Sequence, residues 1–175
     1  MTTTANKQEG SQETKQEYSA GALILVDGTE DPAILELVQN NDFYYKKYGR
    51  VSSDEVLDIG PKGHIEKGED AIQAAEREVM EEIGIKPILD TSFKATKIYE
   101  YNEKRKDGSI IHSKKSVIYF LAKIQKKDIE KIKLSEEISR YSIIPLSKAV
   151  EEAKFKADRI ILEQLKDYLK SEIKK

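Results

Sequence analysis

Positions 60–85 read GPKGHIEKGEDAIQAAEREVMEEIGI, a glycine-containing loop followed by a cluster of glutamates. Four carboxylates fall within seven residues of a helix-like run, at Glu76, Glu78, Glu81 and Glu82. Like charges three or four residues apart on a helix repel one another by roughly 0.2–0.5 kcal/mol per pair. No lysine occupies the neighbouring helical positions. The spacing therefore indicates either a solvated helix face, which explains most charge runs, or a face that binds a cation.

A helical wheel of this run separates an apolar stripe from the carboxylates. The stripe, which we expect to face the core, consists of Ile72, Ala75, Val79 and Ile83. Glu78, Glu81 and Glu82 lie beside it, and small alanines precede them on the same face. Carboxylates presented in this way suit Mg²⁺ or Mn²⁺, which take oxygen ligands, keep several waters and share substrate phosphates.

The loop before the helix has features that suit a phosphate. Glycines allow close backbone approach, and the start of a helix offers free amides to an anion. Lys62 adds a point charge, and Arg77 could reach back to orient a carboxylate, for which Glu69 is the obvious partner. Together these residues predict metal-assisted hydrolysis of a phosphoanhydride, in which activated water attacks phosphorus.

Composition restricts the remaining possibilities. The chain has 175 residues, 38% hydrophobic and 35% charged, which suits one domain of ordinary size with a tail. Its formal charge of -2 provides no global field for nucleic acid or a membrane surface. The absence of cysteine excludes disulfides and thiolate metal sites, so a cation would be bound by oxygen or by His64 and His112.

Neither a membrane span nor a signal peptide is expected from the sequence pattern. No apolar run approaches the roughly 18 residues that span a bilayer, and the N-terminus lacks the basic-then-apolar pattern of a signal peptide. We therefore expect a cytoplasmic protein with no membrane partner. Residues 1–17 contain no aromatic or branched aliphatic side chain, which predicts a disordered leader before a single domain at 18–175.

The order of predicted elements is mixed α+β. Apolar runs at 19–26 and 33–39 predict a hairpin, and Asp107-Gly108 predicts a second one between 92–105 and 114–124. Residues 41–56 are polar and aromatic without a clear period, so we expect a surface loop. A last strand at 141–146 precedes two helices, predicted at 146–155 and 157–175.

The glutamate segment resembles the Nudix box, the signature of the Nudix hydrolase family. That pattern is Gly, five residues, Glu, seven residues, Arg-Glu, an aliphatic, any residue, Glu-Glu, any residue, Gly and an aliphatic. Its fixed places are filled by Gly63, Glu69, Arg77, Glu78, Val79, Glu81, Glu82, Gly84 and Ile85. The resemblance implies an α/β/α sandwich with a mixed β-sheet between helices, and hydrolysis of a nucleoside diphosphate linked to another moiety.

The resemblance also implies roles for the box residues. Glu78 and Glu82 are expected to bind Mg²⁺ (or Mn²⁺), and Glu81 is expected to be a further ligand or a water-mediated contact. The backbone carbonyl of the Gly63 region would complete the site. Glu69 and Arg77 would form a structural pair.

Within the family, the Pro-Lys-Gly-His segment at 61–64 is similar to that of asymmetric diadenosine tetraphosphate hydrolases of the animal and archaeal kind. This likeness predicts phosphate contacts from Lys62, His64 and Lys115. Glu137 matches a distal glutamate that serves as metal ligand or base, although Glu136 could be aligned instead. The general base is left open between Glu78 and Glu137.

The same likeness predicts that two aromatic side chains stack on an adenine. Phe155 matches one of them, and Tyr99 is the candidate for the other, with Tyr101 close behind it. Tyr119 is placed either near the substrate or in the sheet core. The predicted hairpin around Asp107 is longer than is usual for these enzymes.

Other substrates fit the same box. The 5′-triphosphate end of RNA, a modified nucleoside triphosphate or a sugar nucleotide would use the same phosphate chemistry, because the box residues contact only phosphate and metal. A nucleotide- or RNA-binding module without catalysis is the alternative from another class. The expected partner is a small-molecule nucleotide, and a nucleic acid only as an RNA 5′ end.

Overall fold

The computed structural model describes residues 14–27 and 31–173 as an ordered series of strands and helices. The elements are β1 (Lys15–Asp27), β2 (Ala33–Gln39), α1 (Asn41–Tyr48), β3 (Leu57–Asp58), β4 (Lys62–His64), α2 (Ala71–Ile83), β5 (Leu89–Lys104), β6 (Ile110–Gln125), a 3₁₀ turn (Lys126–Lys131), β7 (Ile138–Pro145), α3 (Leu146–Glu152) and α4 (Lys156–Ile173). No helix in these described ranges is long and apolar enough to cross a membrane.

Strand β1 is the centre of a mixed sheet. It runs parallel to β6 along its whole length and antiparallel to both β2 and β4. Strands β3 and β7 extend the sheet beside β2, and β5 lies antiparallel to β6 at the other side. The predicted hairpins are confirmed in the β1–β2 and β5–β6 pairs.

Alternate residues of β1 pack on opposite faces of the sheet, as the two-residue period of a strand requires. Leu23 and Leu25 belong to a core cluster that includes residues of α3 and α4, such as Leu162. Ala22 and Ile24 belong to another cluster, with Val79 and Ile83 of α2. Helices therefore cover both faces, and the predicted α/β/α sandwich is confirmed.

Helix α2 begins and ends at residues that cap it. Asp70 and Gln73 form a capping box at its start, and Gly84 ends it in the left-handed conformation with φ 71°. Of the predicted apolar stripe, Ala75, Val79 and Ile83 are fully buried, but Ile72 is exposed. The stripe was wrong at Ile72 because the first turns pack on the sheet through Ala74 and Ala75 instead.

The segment 41–56 was predicted as a surface loop, and half of it is helix α1. The Asn40 side chain caps the helix by accepting a hydrogen bond from Phe43 N, and Gly49 ends it with φ 67°. None of the helical residues is buried, so the segment lacks the apolar period by which helices are predicted. The caps at its ends are the only signals in the sequence.

The predicted boundary of the leader also needs correction. β1 begins at Lys15, not after Glu17, because residues 15–17 continue the parallel ladder with Ser113–Lys115 of β6. The prediction for residues 1–13 lies outside the described part of the chain.

A buried ion pair joins Lys62 of β4 to Asp58 of β3. Lys62 Nζ is 2.8 Å from Asp58 Oδ1, and the two side chains are only 8% and 10% exposed. Gln39 Nε2 donates to the other Asp58 oxygen at 2.6 Å. Burial alone would raise the pKa of Asp58, but Lys62 and Gln39 outweigh it, and the pKa is lowered. This pair joins β2, β3 and β4.

Replacement of Asp58 by alanine leaves the Lys62 ammonium buried without its partner. We expect Asp58→Ala to lower the free energy of unfolding at pH 7 by about 3–5 kcal/mol, measured by urea denaturation. The control is Glu55→Ala, which breaks an exposed ion pair with Arg140 and should cost less than about 1 kcal/mol. Equal stabilities for the two variants would contradict a structural role for the buried pair.

Candidate active site

A cavity of about 500 Å³ opens between β4, α2 and α1. It brings together most of the predicted site residues, namely Lys62, Gly63, His64, Arg77, Glu78, Glu81, Glu82, Lys115 and Glu137. Tyr99 lines an adjoining cavity of about 280 Å³. Phe155 and Glu69 line neither of these two cavities.

Arg77 connects the glutamate helix to the loop. Its Nε lies 2.7 Å from Glu69 Oε1, so the structure contains the pair that the sequence suggested. Its Nη1 also contacts Glu78 at 2.6 Å and Glu81 at 3.1 Å, and its Nη2 donates to the His64 carbonyl. Arg77 therefore neutralises two glutamates of α2, Glu78 and Glu81, in addition to Glu69 of the loop. It makes no ion pair with Glu82 among the described contacts.

Two glutamates of α2 are withdrawn from water. Glu82 is only 6% exposed, and its Oε2 is buried with no hydrogen-bond partner among the described residues. Burial raises the pKa of Glu82 well above its usual range, although nearby Lys62 opposes this effect. Burial also raises the pKa of Glu78 against the opposing effect of Arg77. Glu81 is the exposed member of the set.

Gly63 allows Glu78 to lie against the strand. A Cβ at position 63 would lie 2.0 Å from Glu78 Oε1, far closer than non-bonded atoms approach. The requirement is steric, because Gly63 is not among the glycines with positive φ. A side chain here would displace the carboxylate that the resemblance assigns to metal binding.

These residues fit a hard divalent cation, although they do not form a ready-made cage. Among residues 14–27 and 31–173, no three His, Asp or Glu side chains converge closely enough to hold a metal. Arg77 instead holds Glu78 and Glu81. The buried Glu82 oxygen has no hydrogen-bond partner among the described residues and is available to an ion, and the donors are all oxygen atoms, as Mg²⁺ and Mn²⁺ prefer.

Glu137 reaches the same cavity from the segment before β7. Tyr44 OH donates to its Oε2 at 3.0 Å, and Lys47 Nζ lies 3.8 Å from its Oε1. Glu136 does not line the cavity. The geometry therefore favours Glu137 over Glu136 as the distal glutamate.

The sequence analysis missed the contribution of α1 to this site. Tyr44, Lys47, Tyr48 and Arg50 all line the cavity. The Arg50 guanidinium stacks 3.9 Å from the Tyr44 ring centroid, and its Nη2 donates to Gln39. Recognition of the Asn40 and Gly49 caps could have identified the helix, but only the tertiary structure places it over the glutamates.

Glu17, assigned to the leader, is a second missed residue. Its carboxylate is buried and accepts hydrogen bonds from Tyr101 OH and Lys15, and it lies 3.1 Å from His64 Nε2. Burial would raise the pKa of Glu17, but the bonds from Lys15 and His64 outweigh it and lower the pKa to about 2. The ring of exposed His64 is thus anchored to β1.

The cations of the cavity differ in how far they are engaged. Lys62 is bound to Asp58, whereas half-buried Lys115 has no ion pair within the described ranges. Burial and the charge of Lys62 lower the pKa of Lys115 to about 8. Lys115 can therefore bind a phosphate without breaking an ion pair, and a phosphate would stabilise its charged form.

The predicted aromatic residues lie beyond the cavity. Lys97 Nζ lies 4.9 Å from the Tyr99 ring and 6.0 Å from the exposed Phe155 ring, so one cation contacts both. Lys97 is itself paired with buried Asp158. Tyr119 is fully buried in the core, which settles its position in favour of the sheet.

Comparison with known proteins follows this geometry. The NUDIX domain family model matches residues 15–165. A pig protein described as bis(5'-nucleosyl)-tetraphosphatase [asymmetrical] is 35% identical over 109 residues, which is 62% of this chain and 69% of the relative. The rat protein of the same description is 32% identical over 111 residues, with the same coverage.

Solved structures give a consistent result. An Ap4A hydrolase of C. elegans, solved as a binary complex, superposes with a TM-score of 0.69 at 25% identity, covering 89% of this chain and 98% of that one. A MutT protein from Methanosarcina mazei, at 22% identity and a TM-score of 0.59, shares the fold over 91% of this chain and 99% of its own. Because the family model covers most of the sequence, including the whole glutamate helix and its glycine loop, the chain belongs to the Nudix hydrolase family.

Proposed function

We propose that this chain cleaves diadenosine tetraphosphate asymmetrically, into ATP and AMP, with Mg²⁺ or Mn²⁺ as cofactor. Nudix hydrolases generally use divalent metal ions and act on small nucleotides. The observation that carries the proposal is the cavity itself, which joins the buried, unpartnered Glu82 carboxylate of α2 to Lys115 of β6, a lysine with no ion pair among the described residues. The two mammalian relatives, by their descriptions, support the choice of substrate.

The metal would be held by Glu78, Glu82 and the Gly63 carbonyl, with Glu81 as a further or water-mediated ligand. When bound, such an ion lowers the pKa of a coordinated water and offsets charge on the phosphates. Glu78 or Glu137 accepts the proton as the water oxygen bonds to phosphorus and the bridging P–O bond breaks. Both carboxylates line the cavity, which supports keeping both as candidates for the base.

The phosphates would be bound by Lys115, His64 and Lys62. Lys115 would contribute most to phosphate binding, because the charge of Lys62 is already neutralised by Asp58. Tyr99 and Phe155 would stack on one adenine, because both rings lie beside Lys97 at the edge of the site. Such stacking contributes about 1–3 kcal/mol per base at other nucleotide sites.

Product analysis tests this proposal. With Mg²⁺ and diadenosine tetraphosphate, we expect chromatography to show ATP and AMP in equal amounts. Glu78→Gln and Gly63→Ala should each lower kcat/KM about a hundredfold or more, because both displace or remove the carboxylate that positions the metal.

The matched control is Glu76→Gln, which removes an exposed carboxylate of α2 that does not line the cavity. Its kcat/KM should equal that of the wild type. No cleavage of diadenosine tetraphosphate would reject the substrate assignment. Turnover of an RNA 5′ end, a modified nucleoside triphosphate or a sugar nucleotide would then identify another Nudix reaction, and nucleotide binding without turnover would identify a binding module.

The burial of Glu82 predicts how metal and pH affect stability. Because its pKa is raised in the folded state, metal-free protein loses stability as pH rises from the ordinary value of 4.5 through that raised pKa. Glu82→Gln removes the charge, and we expect it to stabilise metal-free protein by about 1–3 kcal/mol at pH 8 and to have little effect at pH 4. Thermal denaturation measures both.

Thermal denaturation of the same two proteins with Mg²⁺ or Mn²⁺ tests whether Glu82 binds the metal. Metal should raise the melting temperature of the wild type more at pH 8 than at pH 5, since the ligands must be ionised to bind. Glu82→Gln should lose this gain. A variant that is less stable than the metal-free wild type at pH 8 would show that Glu82 serves the fold rather than the metal.

The lowered pKa of Lys115 predicts a pH dependence of substrate capture. Its charged form disappears as pH rises through about 8, whereas an ordinary lysine keeps its proton beyond pH 10. We expect kcat/KM, which reports the free enzyme, to fall above pH 8. Lys115→Arg remains charged and should abolish that fall. Superimposable profiles for the two proteins would exclude Lys115 as the titrating group.

A further inference from the structure

We propose that Tyr48 of α1 is a stacking platform for the second nucleoside base of a dinucleoside polyphosphate. This inference rests on the proposed function and extends it to the half of the substrate that Tyr99 and Phe155 do not contact. It gives α1, which the sequence presented as a surface loop, a direct part in substrate recognition.

One face of α1 forms a wall of the cavity. Tyr44, Lys47 and Tyr48, at three- and four-residue spacing, line the same cavity as the glutamates of α2. No residue of α1 is buried, so its aromatic side chains are not there to fill the core. Aromatic rings that line a polar cavity form a surface that a base can cover.

Tyr48 is the ring of this wall that is available to a ligand. Tyr44 is already engaged, since its hydroxyl bonds to Glu137 and its ring stacks on Arg50. The Tyr48 hydroxyl contacts the Lys47 ammonium and, among the described residues, no carboxylate, and the residue is 44% exposed. One side of its ring packs on the Tyr44 ring, with 5.8 Å between centroids, and Lys47 Nζ lies 5.2 Å from its ring centroid. A stacked base on Tyr48 would have an ammonium group beside it.

The position of Tyr48 relative to Tyr99 matches a substrate with a base at each end. Tyr48 lines only the larger cavity and Tyr99 only the smaller one, and the two cavities share a boundary. That boundary includes Arg50 and Lys115, which have no ion pair within the described ranges, and Glu103, which is paired with Arg105. The two aromatic rings therefore line different cavities, with cations where the cavities meet, as two bases flank the polyphosphate of the ligand.

The β5–β6 hairpin holds the platform in place. Arg105 donates to the Tyr48 carbonyl, Lys106 N donates to Gly49 O at 2.9 Å, and Val51 N donates to Lys104 O at 3.2 Å. The extra length of this hairpin, noted from the sequence, thus supports the end of α1. A helix fastened at its C-terminal end presents Tyr48 with little ordering cost on binding.

Calorimetric binding separates the second base from the rest of the ligand. Affinities are measured with Mg²⁺ in a Glu78→Gln background, so that turnover does not interfere. The two ligands are diadenosine tetraphosphate and adenosine 5′-tetraphosphate, which has the same phosphate chain and one base. Tyr48→Ala should weaken binding of the first about five- to hundredfold, as the loss of one stacked base predicts, and leave the second unchanged.

Two variants are matched controls. Tyr48→Phe keeps the ring and should bind diadenosine tetraphosphate as the parent does. Tyr45→Ala removes a tyrosine of the same helix that is 50% exposed and lines neither cavity, and it should also have no effect. Far-UV circular dichroism of each variant confirms that α1 and the fold are retained.

The inference is overturned if Tyr48→Ala and Tyr45→Ala bind diadenosine tetraphosphate equally well. It is also overturned if Tyr48→Ala weakens both ligands by the same factor, since Tyr48 would then act on the phosphates or through Glu137. Failure of the proposed function has a different signature, which is absence of ATP and AMP from wild-type reactions. Binding of diadenosine tetraphosphate no tighter than that of the one-base ligand would reject a second base site in either case.

Discussion

The site depends on the close approach of β4 to the glutamate face of α2. Gly63 has no side chain, so the Glu78 carboxylate lies where a Cβ would otherwise be. Arg77 holds this contact by bonding to the His64 carbonyl on one side and to three carboxylates on the other. The arrangement keeps the Glu78 and Glu82 carboxylates largely buried. This burial lowers the stability of the protein, and a bound cation would offset the loss.

The positive charges around this contact are divided between structure and ligand. Lys62 neutralises buried Asp58 and Arg77 neutralises exposed and half-buried glutamates, so both stabilise the protein without a substrate. Lys115 and Arg50 have no carboxylate partner in the described part of the chain, and they lie where the two cavities meet. These two side chains would neutralise the charge of a polyphosphate without breaking the Lys62–Asp58 ion pair between β3 and β4.

Local patterns predicted the regular parts of the fold. The alternation around Asp107-Gly108 and the apolar runs of β1 and β2 led to the correct hairpins, because strand pairing there is local. Two predictions, that Ile72 is buried and that residues 41–56 form a loop, were wrong for related reasons. Which face of a helix is buried depends on the partner it packs against, and a helix with no buried face carries no apolar period. Glu17 was missed because its partners, Tyr101 and His64, are distant in the sequence.

By itself the sequence determined the family and the chemistry of phosphate and metal, because the box residues lie within 23 positions of one another and their spacing is that of a loop and one helix. Only the tertiary structure decided which residues face that helix. It placed Glu137 rather than Glu136 on the cavity, Tyr119 in the core and α1 along one wall of the cavity. These outcomes depend on contacts between residues far apart in the chain, such as Tyr44 with Glu137, which no local pattern encodes.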